Sequence, residues 1–478
     1  MAVTGGTFLA LLPELVATGF LIVVLMVGVF ADRSMGLVAS LAALGSLAVF
    51  GSVAVLLIIG FSGSFFGGGF VVDSFALYFK LIVAGSAFFA ILAAARWSGY
   101  TGDAGEYLAL ILAVVLGSIL LVSMRDLFGL FLAIELATIP SYAMVAFDRS
   151  RRESAEGGMK YLITGVIASS VLLYGIVLIY GVSGSAELAD VARTFSADLT
   201  PVAVLGLVLL VSGFAFKVSA APFHFWTPDA YQGAPTSAAA FLSVAPKAAF
   251  FAILLRVLLE GMPEAAPTWT AVMAFLAILS MFVGNLFALR QRNVRRMLAY
   301  SSVAHSGYIL AAFAALQGQA LQTAFEAILI YSAAYAVMNL GAFLVVDLVG
   351  EETKSFNGLI KTSPAVALSM LVFMASLVGI PPLSGFFGKL WIIIAGVQSG
   401  SLEVYVVVGA VVLNSVLSVP YYFGIVRNML FEEPTGPVTA KDGSGALRFS
   451  VYALALATAL FGLLIIPLST LARTSGLL

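Results

Sequence analysis

Residues 217–235 read KVSAAPFHFWTPDAYQGAP and combine a cation with a helix breaker at the end of an apolar run. The run begins near Pro201, Lys217 lies close to its end, and Pro222 interrupts it five residues later. Proline has no backbone N–H and its ring clashes with the carbonyl four residues earlier, so the carbonyl of Val218 loses its helical partner. The stretch therefore predicts a broken helix with a lysine beside the break.

The composition indicates a protein with many membrane-spanning helices. Of the 478 residues, 62% are hydrophobic and 10% are charged, whereas a soluble domain is about 25% charged. The net charge of −1 argues against a nucleic-acid partner. The chain has no cysteine, which excludes disulfides, thiolate metal sites and cysteine-ligated iron–sulfur clusters. Because only two histidines are present, His224 and His305, we expect no haem or zinc centre.

Fourteen segments are long and apolar enough to cross a bilayer, for which about 20 residues are needed. Segments 7 and 12 are over-long and are interrupted by proline, at Pro222 and at Pro381–Pro382. We therefore predict an all-α polytopic membrane protein in which helices 7 and 12 are broken. The segments cover residues 8–30, 37–60, 70–95, 105–122, 126–147, 159–182, 201–228, 237–259, 267–289, 297–315, 320–348, 364–398, 403–426 and 449–471.

The distribution of lysine and arginine predicts the orientation of the chain. Fifteen of the 23 cations lie in odd-numbered loops, and three lie in even-numbered loops or the C-terminus. The densest run is RQRNVRR, residues 290–296. Because cytoplasmic loops carry the excess of Lys and Arg, we expect both termini on the extracytoplasmic side. The first cation, Arg33, follows segment 1, so we interpret that segment as a retained helix.

The positions of the two broken segments indicate an internal duplication. Segments 4–8 and 9–13 each contain five helices, and the fourth helix of each set is the broken one. Paired interrupted helices are typical of transport proteins built from repeats, and an odd helix number gives the two repeats opposite topology. The predicted domains are a three-helix part (1–104), two inverted five-helix repeats (105–260 and 261–430) and a C-terminal helix (431–478).

Four ionisable residues lie deep inside predicted segments: Glu135, Lys217, Lys247 and Lys389. Each costs about 2.5–3.5 kcal/mol at a helix centre on insertion scales, and such residues usually face the bundle interior and serve a function. Burial disfavours the charged form of a lysine, and a nearby carboxylate favours it. We therefore interpret the four residues as a chain that holds and releases protons.

Each of these residues has a structural alternative. Glu135 can be a neutral carboxyl hydrogen-bonded to a neighbouring Ser or Thr, and Lys217 can extend to the membrane interface. Lys389 can bind backbone carbonyls that the double proline leaves free. For Lys247 the alternative is extension to the interface, which is difficult from the middle of the bilayer, and no residue near it in the sequence neutralises it.

Water is the expected partner of the carbonyls that proline leaves free. Irregular backbone at membrane depth persists only where it is buried in protein or lines a water-filled cavity. We therefore expect water at the carbonyl of Val218, and at those of Leu377 and Val378, which Pro381 and Pro382 leave free. Such water carries protons.

The remaining polar residues have weaker signals. His305 is expected either to pass protons between Lys247 and Lys389 or to be a hydrogen-bonded structural histidine. His224 follows the break and is interpreted as a local backbone cap.

Four charged residues outside this chain are expected to be structural. Lys80 and Asp73, seven residues apart, lie on one helical face and are predicted to pair. Glu14 and Arg256 are predicted to lie at the membrane interfaces. Asp229 is expected to be a turn or cap residue in a loop at 227–233.

Three stretches resemble the antiporter-like membrane subunits of respiratory complex I, and within that family the subunit N branch. They are RNVRRMLAYSSVAHSGYIL (292–310), GIPPLSGFFGKLWI (379–392) and, most specifically, PFHFWTPDAYQGAPTSAAAFLSVAPKAA (222–249). The pattern P-x-H-x-W-x-P-D is common to the family, and YQGAPT with FLSVAPKAA favours the subunit N branch. Lys389 is a second discriminator, because one related subunit has glutamate there. The C-terminal part after Arg427 is less similar.

The resemblance implies roles for these residues. Glu135 on helix 5 is expected to pair with Lys217 on helix 7, Lys247 to be the central lysine of helix 8, His305 the histidine of helix 10, and Lys389 the lysine of the other half-channel. Such a subunit moves protons outward across the bacterial cytoplasmic membrane, driven by quinone reduction in other subunits of the enzyme. It is expected to contact other membrane-arm subunits and to hold no cofactor itself, since NAD, FMN, iron–sulfur clusters and quinone are handled elsewhere.

Other functions remain open from the sequence. The same fold is used by subunits of multisubunit cation/proton antiporters and of membrane-bound hydrogenases. A scaffold that links neighbouring subunits is a third hypothesis, against which the four central ionisable residues argue. A standalone transporter is a fourth, but no solute-recognition cluster is evident.

Overall fold

The structure, a computed structural model, describes residues 5–30, 35–95, 104–197, 199–434 and 445–463. The helices of the first half are α1 (Gly5–Ala10), α2 (Leu12–Phe30), α3 (Met35–Ile58), α4 (Ser74–Ala94), α5 (Ala104–Leu121), α6 (Leu127–Val145), α7 (Arg152–Ser183), α8 (Leu188–Ala197), α9 (Pro201–Lys217), α10 (Trp226–Gly233), α11 (Thr236–Leu242) and α12 (Ala245–Arg256). Those of the second half are α13 (Ala266–Ala288), α14 (Val294–Ala314), α15 (Leu321–Val349), α16 (Leu359–Thr362), α17 (Pro364–Val378), α18 (Ser384–Gln398), α19 (Leu402–Phe431) and α20 (Gly445–Leu463).

The all-α polytopic class is confirmed. Among the described residues, 11 helices are long and apolar enough to cross a membrane, and three shorter apolar helices, α9, α17 and α18, lie in the predicted segments 7 and 12. Helix α14 occupies segment 10. The total of fourteen spans, the two inverted repeats and the domain boundaries remain predictions.

A short antiparallel hairpin, β1 (Gly63–Phe65) and β2 (Phe70–Val72), precedes α4. It shortens predicted segment 3, because Asp73 accepts a hydrogen bond from the Ala76 N–H at 2.7 Å and begins the helix there. The hairpin joins two neighbouring loops: Arg125 N–H donates to the Gly69 carbonyl at 2.9 Å, and Leu188 N–H donates to the Arg125 carbonyl at 3.0 Å.

Loops that the sequence places on opposite sides of the membrane gather at opposite ends of the molecule. The even-numbered loops 2, 4 and 6 meet at the hairpin. At the other end, Val294 N–H donates to the Glu351 carbonyl at 2.6 Å, and Gly358 N–H donates to the Asn428 carbonyl at 3.0 Å. These contacts join the odd-numbered loops 9, 11 and 13. Which end faces the cytoplasm remains a prediction, and Arg33 lies outside the described residues.

The most enclosed helices lie at the centre of the bundle. In the most apolar 18-residue stretch of Thr236–Gly261, which includes α11 and α12, 100% of the residues are buried. In the corresponding stretch of Leu12–Phe30, 22% are buried. A long apolar helix with exposed apolar side chains suits a lipid-facing position, and a fully enclosed one suits an internal axis. Lys247 therefore lies on the most enclosed of these 11 described spans.

One structural prediction is wrong. Lys80 does not pair with Asp73; its Nζ lies 2.5 Å from Glu14 Oε1, and Asp73 binds the guanidinium of Arg256 at 2.9 and 3.0 Å. Buried charges need a partner, and those of Lys80 and Asp73 come from distant parts of the chain. Arg256 also binds Glu260 at 2.7 Å. Glu14 is 4% exposed and Arg256 is fully buried, so both are enclosed by protein, and their place at the membrane interfaces stays a prediction.

Candidate functional site: a buried row of ionisable residues

Lys217 and Glu135 lie together, joined by a serine. Lys217 is the last residue of α9, and its buried Nζ lies 3.6 Å from Glu135 Oε1 on α6. Ser169 on α7 bridges the two, because its hydroxyl accepts from Lys217 Nζ at 2.9 Å and donates to Glu135 at 2.6 Å. The structure thus brings together a carboxylate, a hydroxyl and an amine. The two descriptions of Glu135, as a partner of Lys217 and as a carboxyl bonded to serine, both apply.

The break after Lys217 is closed by a side chain. Residues 218–225 are not helical, as Pro222 predicts. The carbonyl of Val218 accepts a hydrogen bond from the Ser306 hydroxyl at 2.5 Å. Water was the expected partner; the structure shows a serine 88 residues further along the chain as one partner, and the expectation of water there stays a prediction.

Lys247 is bound by hydroxyls. It is 3% exposed, and its Nζ lies 2.6 Å from the Ser302 hydroxyl and 3.4 Å from that of Ser306, both on α14. Within the described residues no carboxylate lies at ion-pair distance from Lys247. Ser306 therefore contacts both the backbone next to Lys217 and the amine of Lys247.

The helix that carries Lys247 is also broken, which the sequence analysis missed. Helix α11 ends at Leu242 and α12 begins at Ala245. Pro246 lies four residues after Leu242, so the carbonyl of Leu242 lacks its helical partner, and the Tyr231 hydroxyl donates to it at 3.3 Å. The sequence contains the signal for this break. Pro246 interrupts an apolar segment one residue before Lys247, as Pro222 interrupts one five residues after Lys217.

Lys389 binds the carbonyls that the double proline leaves free. Helix α17 ends at Val378, and α18 resumes at Ser384. Lys389 Nζ donates to the carbonyl of Leu377 at 3.1 Å and to that of Val378 at 2.7 Å. Lys389 therefore makes the carbonyl contacts of its structural alternative, and both the expectation of water there and its role in proton transfer stay predictions. The same Nζ lies 4.5 Å from the centre of the Tyr308 ring.

His305 lies on α14 among aromatic side chains. It is 1% exposed, and tyrosine hydroxyls contact both ring nitrogens, Tyr331 at Nδ1 and Tyr422 at Nε2. Its ring centre is 5.4 Å from that of Tyr308, which also contacts Lys389. His305 is thus a hydrogen-bonded histidine next to the surroundings of Lys389, and α14 carries it one residue from Ser306.

The residues after the break are helical and not a loop. Asp229 belongs to α10, and its carboxylate binds Lys160 at 2.7 Å and the Arg296 guanidinium. Arg295 binds Glu351 and donates to the Ala234 carbonyl at 2.8 Å. The prediction of a turn at Asp229 is therefore wrong, because α10 is held at its end by charges from other helices. The arginines of the run 290–296 also connect helices, beyond their effect on orientation.

His224 lies between α9 and α10. Its carbonyl accepts from the Thr227 N–H at 3.0 Å, and its ring centre lies 4.7 Å from that of Phe225. The interpretation of its ring as a cap stays a prediction. Across the described ranges, no group of three or more His, Asp or Glu side chains is arranged to hold a metal ion.

Comparison with known proteins places this arrangement in a family. Residues 124–418 match the family described as NADH:quinone oxidoreductase/Mrp antiporter, TM. The chain is 73% identical over 482 residues to NADH-quinone oxidoreductase subunit N of Rubrobacter xylanophilus, with 100% of both chains covered. It is 40% identical over 433 residues to the protein of that name from Trichlorobacter lovleyi, covering 88% of this chain and 87% of the relative.

Solved structures have the same fold. A chain of respiratory complex I from Thermus thermophilus superimposes with a TM-score of 0.80 at 31% identity, with 97% of this chain and 100% of that chain covered. A chain of the archaeal membrane-bound sulfane sulfur reductase superimposes with a TM-score of 0.86 at 26% identity, covering 98% and 96%. A chain of the Mrp complex from Dietzia, 22% identical and covered to 98% and 97%, has a TM-score of 0.86, which shows the shared fold alone.

Proposed function

Because the chain belongs to the antiporter-like membrane subunits of NADH-quinone oxidoreductase, in the subunit N branch, we propose that it carries protons outward along the row of buried ionisable residues. The row is formed by Glu135, Lys217, Lys247, His305 and Lys389. As a multi-pass membrane subunit, it works with the other membrane subunits of the enzyme, and quinone reduction in those other subunits drives the transfer. The observation that supports this best is that three broken helices each place a lysine at the break, deep in the bundle.

The first pair is able to control the charge of its lysine. Two unit charges 3.6 Å apart interact by about 4–5 kcal/mol at an effective dielectric of 20. This is an upper value, because the Glu135 side chain is 22% exposed. A change of that size shifts the protonation equilibrium of Lys217 by up to about a thousandfold. Loss of the charge on Glu135 therefore favours release of a proton from Lys217.

The surroundings of the central lysine, Lys247, favour proton exchange over a permanent positive charge. Lys247 has serine hydroxyls and no carboxylate as neighbours in the described structure. Burial without a counter-charge disfavours the protonated form, while the Ser302 hydroxyl accepts from the ammonium form and donates to the neutral amine. Lys247 therefore takes up a proton when a neighbouring charge favours it and gives it up when that charge moves away.

We propose further that the subunit holds no redox cofactor of its own. The groups of the row are bonded to other protein groups: Lys217 and Lys247 to serine hydroxyls, His305 to tyrosine hydroxyls and Lys389 to backbone carbonyls. NAD, FMN, iron–sulfur clusters and quinone then belong to the other subunits. The alternative function is that of a subunit of a cation/proton antiporter, and it is based on the fold shared with the Mrp complex. The full-length identity of 73% to a subunit N favours the oxidoreductase.

Two experiments test the proposal. A tagged chain, extracted in mild detergent, is expected to migrate on a native gel with NADH:quinone oxidoreductase activity; migration in a smaller assembly without that activity supports the antiporter reading. In the assembled enzyme, Lys247→Ala is expected to lower proton pumping and the coupled NADH:quinone rate. A normal number of protons per electron in that variant would show that Lys247 is not part of the path.

A further inference from the structure

A chain of four hydrogen-bonded groups passes through His305. Its Nδ1 lies 2.8 Å from the Tyr331 hydroxyl and its Nε2 lies 3.1 Å from the Tyr422 hydroxyl. The hydroxyl of Tyr422 also contacts the hydroxyl of Ser301. All four side chains are at most 1% exposed. The order Ser301–Tyr422–His305–Tyr331 connects α14 to α19 on one side and to α15 on the other.

Every group in this chain both donates and accepts a proton. In one arrangement Ser301 donates to Tyr422, Tyr422 donates to His305 Nε2, and His305 Nδ1–H donates to the Tyr331 oxygen. In the other arrangement all these bonds are reversed. One passage begins when a proton arrives at Ser301 and ends when one leaves Tyr331, and each group between them gains one proton and loses one. No member ends with a net charge, and rotation of the hydroxyls and a change of tautomer restore the starting arrangement.

The two ends of this hydrogen-bonded chain are next in sequence to residues of the two lysine sites. Tyr331 packs on the backbone of Gly388, so closely that a Cβ at that position would lie 2.2 Å from the tyrosine ring. Gly388 directly precedes Lys389. At the other end, Ser301 directly precedes Ser302, the partner of Lys247. Among the described residues, neither lysine bonds His305 directly.

We propose that Tyr422 is a proton-carrying residue and that Ser301, Tyr422, His305 and Tyr331 act in series as one proton path. This inference rests on the proposed function, since it needs protons to move through this subunit. It assigns His305 a role that depends on both of its tyrosine partners.

The adjacent tyrosine provides a matched control. Tyr421 is buried on the same helix, with its ring centre 4.3 Å from that of Tyr422, but its hydroxyl donates to Asn285 at 2.8 Å. Tyr421→Phe and Tyr422→Phe therefore each remove one buried hydroxyl from α19, but of the two only Tyr422 bonds His305.

The test measures protons pumped per NADH oxidised by the assembled enzyme in proteoliposomes. We expect Tyr422→Phe and Tyr331→Phe each to lower this ratio, and Tyr421→Phe to leave it unchanged. The double variant Tyr331→Phe/Tyr422→Phe is expected to be no worse than the poorer single variant, because a path in series is interrupted once. Because both tyrosines bond His305, structural damage need not be additive either, so the melting temperature of each purified variant is measured as well and is expected to match that of Tyr421→Phe.

Lys247→Ala, measured alongside, separates this inference from the proposed function. If Lys247→Ala lowers the ratio and Tyr422→Phe does not, the chain carries no protons while the proposed function stands. Additive losses in the double variant would show that the two tyrosines do not act in series and would also overturn the inference. If Lys247→Ala pumps normally, the proposed function itself fails. If Tyr422→Phe does not assemble on a native gel, Ser301→Ala is measured in its place. A lowered number of protons per NADH in Ser301→Ala supports the proposed proton path, and an unchanged number overturns it.

Discussion

The hydroxyl of Ser306 donates to the carbonyl of Val218 over 2.5 Å and so joins the broken end of α9 to α14. The same hydroxyl lies 3.4 Å from Lys247 Nζ. One small side chain thus satisfies the backbone group that Pro222 leaves free and contacts the central lysine. The break in α9 is therefore held by the helix that also positions the next lysine of the row.

Ser306→Ala is expected to loosen this junction. The buried carbonyl of Val218 then has no partner, which costs about 1–3 kcal/mol. We expect a lower melting temperature of the purified complex and fewer protons per NADH. Thr270→Ala is the control, because the Thr270 hydroxyl bonds only the Ala266 carbonyl of its own helix, at 2.7 Å. Equal melting temperatures for the two variants would mean that the junction does not depend on Ser306.

Substitutions of Lys389 separate its structural role from proton transfer. Lys389→Ala leaves the carbonyls of Leu377 and Val378 unpaired, at a cost of about 1–3 kcal/mol each, so we expect less assembled complex on a native gel. Lys389→Arg keeps two donors but holds its proton permanently. We therefore expect this variant to assemble and melt as the parent protein does but to pump fewer protons. Normal pumping by Lys389→Arg would show that only the charge is needed at this position.

The buried pair Glu14–Lys80 is expected to respond more strongly to one substitution than to two. Lys80→Met leaves the carboxylate of Glu14 buried and alone, which costs about 3–5 kcal/mol. Adding Glu14→Gln removes that charge, and most of the lost thermal stability should return. The exposed pair Lys361–Glu433 is the control, since Lys361→Ala should change stability by no more than about 1 kcal/mol. A Lys80→Met variant as stable as Lys361→Ala would refute this account.

The contact of loops 9 and 11 should weaken in acid. Burial alone raises the pKa of the Glu351 carboxyl, but the charge and hydrogen bonds of Arg295 outweigh it and hold the pKa below its usual value. The ionised carboxylate is thus favoured by folding, so its stabilisation is complete above the usual pKa and is lost as the pH falls through the lowered one.

Amide hydrogen exchange reports on this contact directly. The Val294 N–H, which bonds the Glu351 carbonyl at 2.6 Å, should exchange faster on acidification after correction for the intrinsic rate. Glu351→Gln should exchange faster than the parent protein above the lowered pKa and should respond little to further acidification. The Gly358 N–H, bonded to Asn428, is the internal control. A Val294 amide whose protection tracks that of Gly358 across the titration would exclude a role for the charge of Glu351.

The sequence predicts the breaks well because their cause is local. Pro222 and the pair Pro381–Pro382 each remove a helical hydrogen bond a fixed four residues away, and the structure ends α9 and α17 there. The third break has the same cause at Pro246, and it was missed because the apolar pattern runs through it. The depth of the four ionisable residues likewise follows from the apolar length on either side of each.

The partners of these groups could not be predicted, because they lie far away in the sequence. Ser306 is 88 residues from Val218, and Asp73 is 183 residues from Arg256. The spacing of Asp73 and Lys80 fits one helical face, yet Asp73 begins the helix and its carboxylate turns to another one. Lys389 supplies the opposite case, since its carbonyl partners lie within 12 residues and were named as a structural alternative.

Helix α14 presents Ser301, Ser302, His305 and Ser306 to different neighbours within about one and a half turns. Successive residues of an α-helix differ by about 100° around its axis, so inserting or deleting one residue between Ser302 and His305 would turn His305 and Ser306 away from their partners while Ser301 and Ser302 kept their places. This stretch should therefore tolerate exchanges of side chain more readily than changes of length. The proposed proton transfer therefore depends on the spacing of these residues along α14 as well as on their side chains.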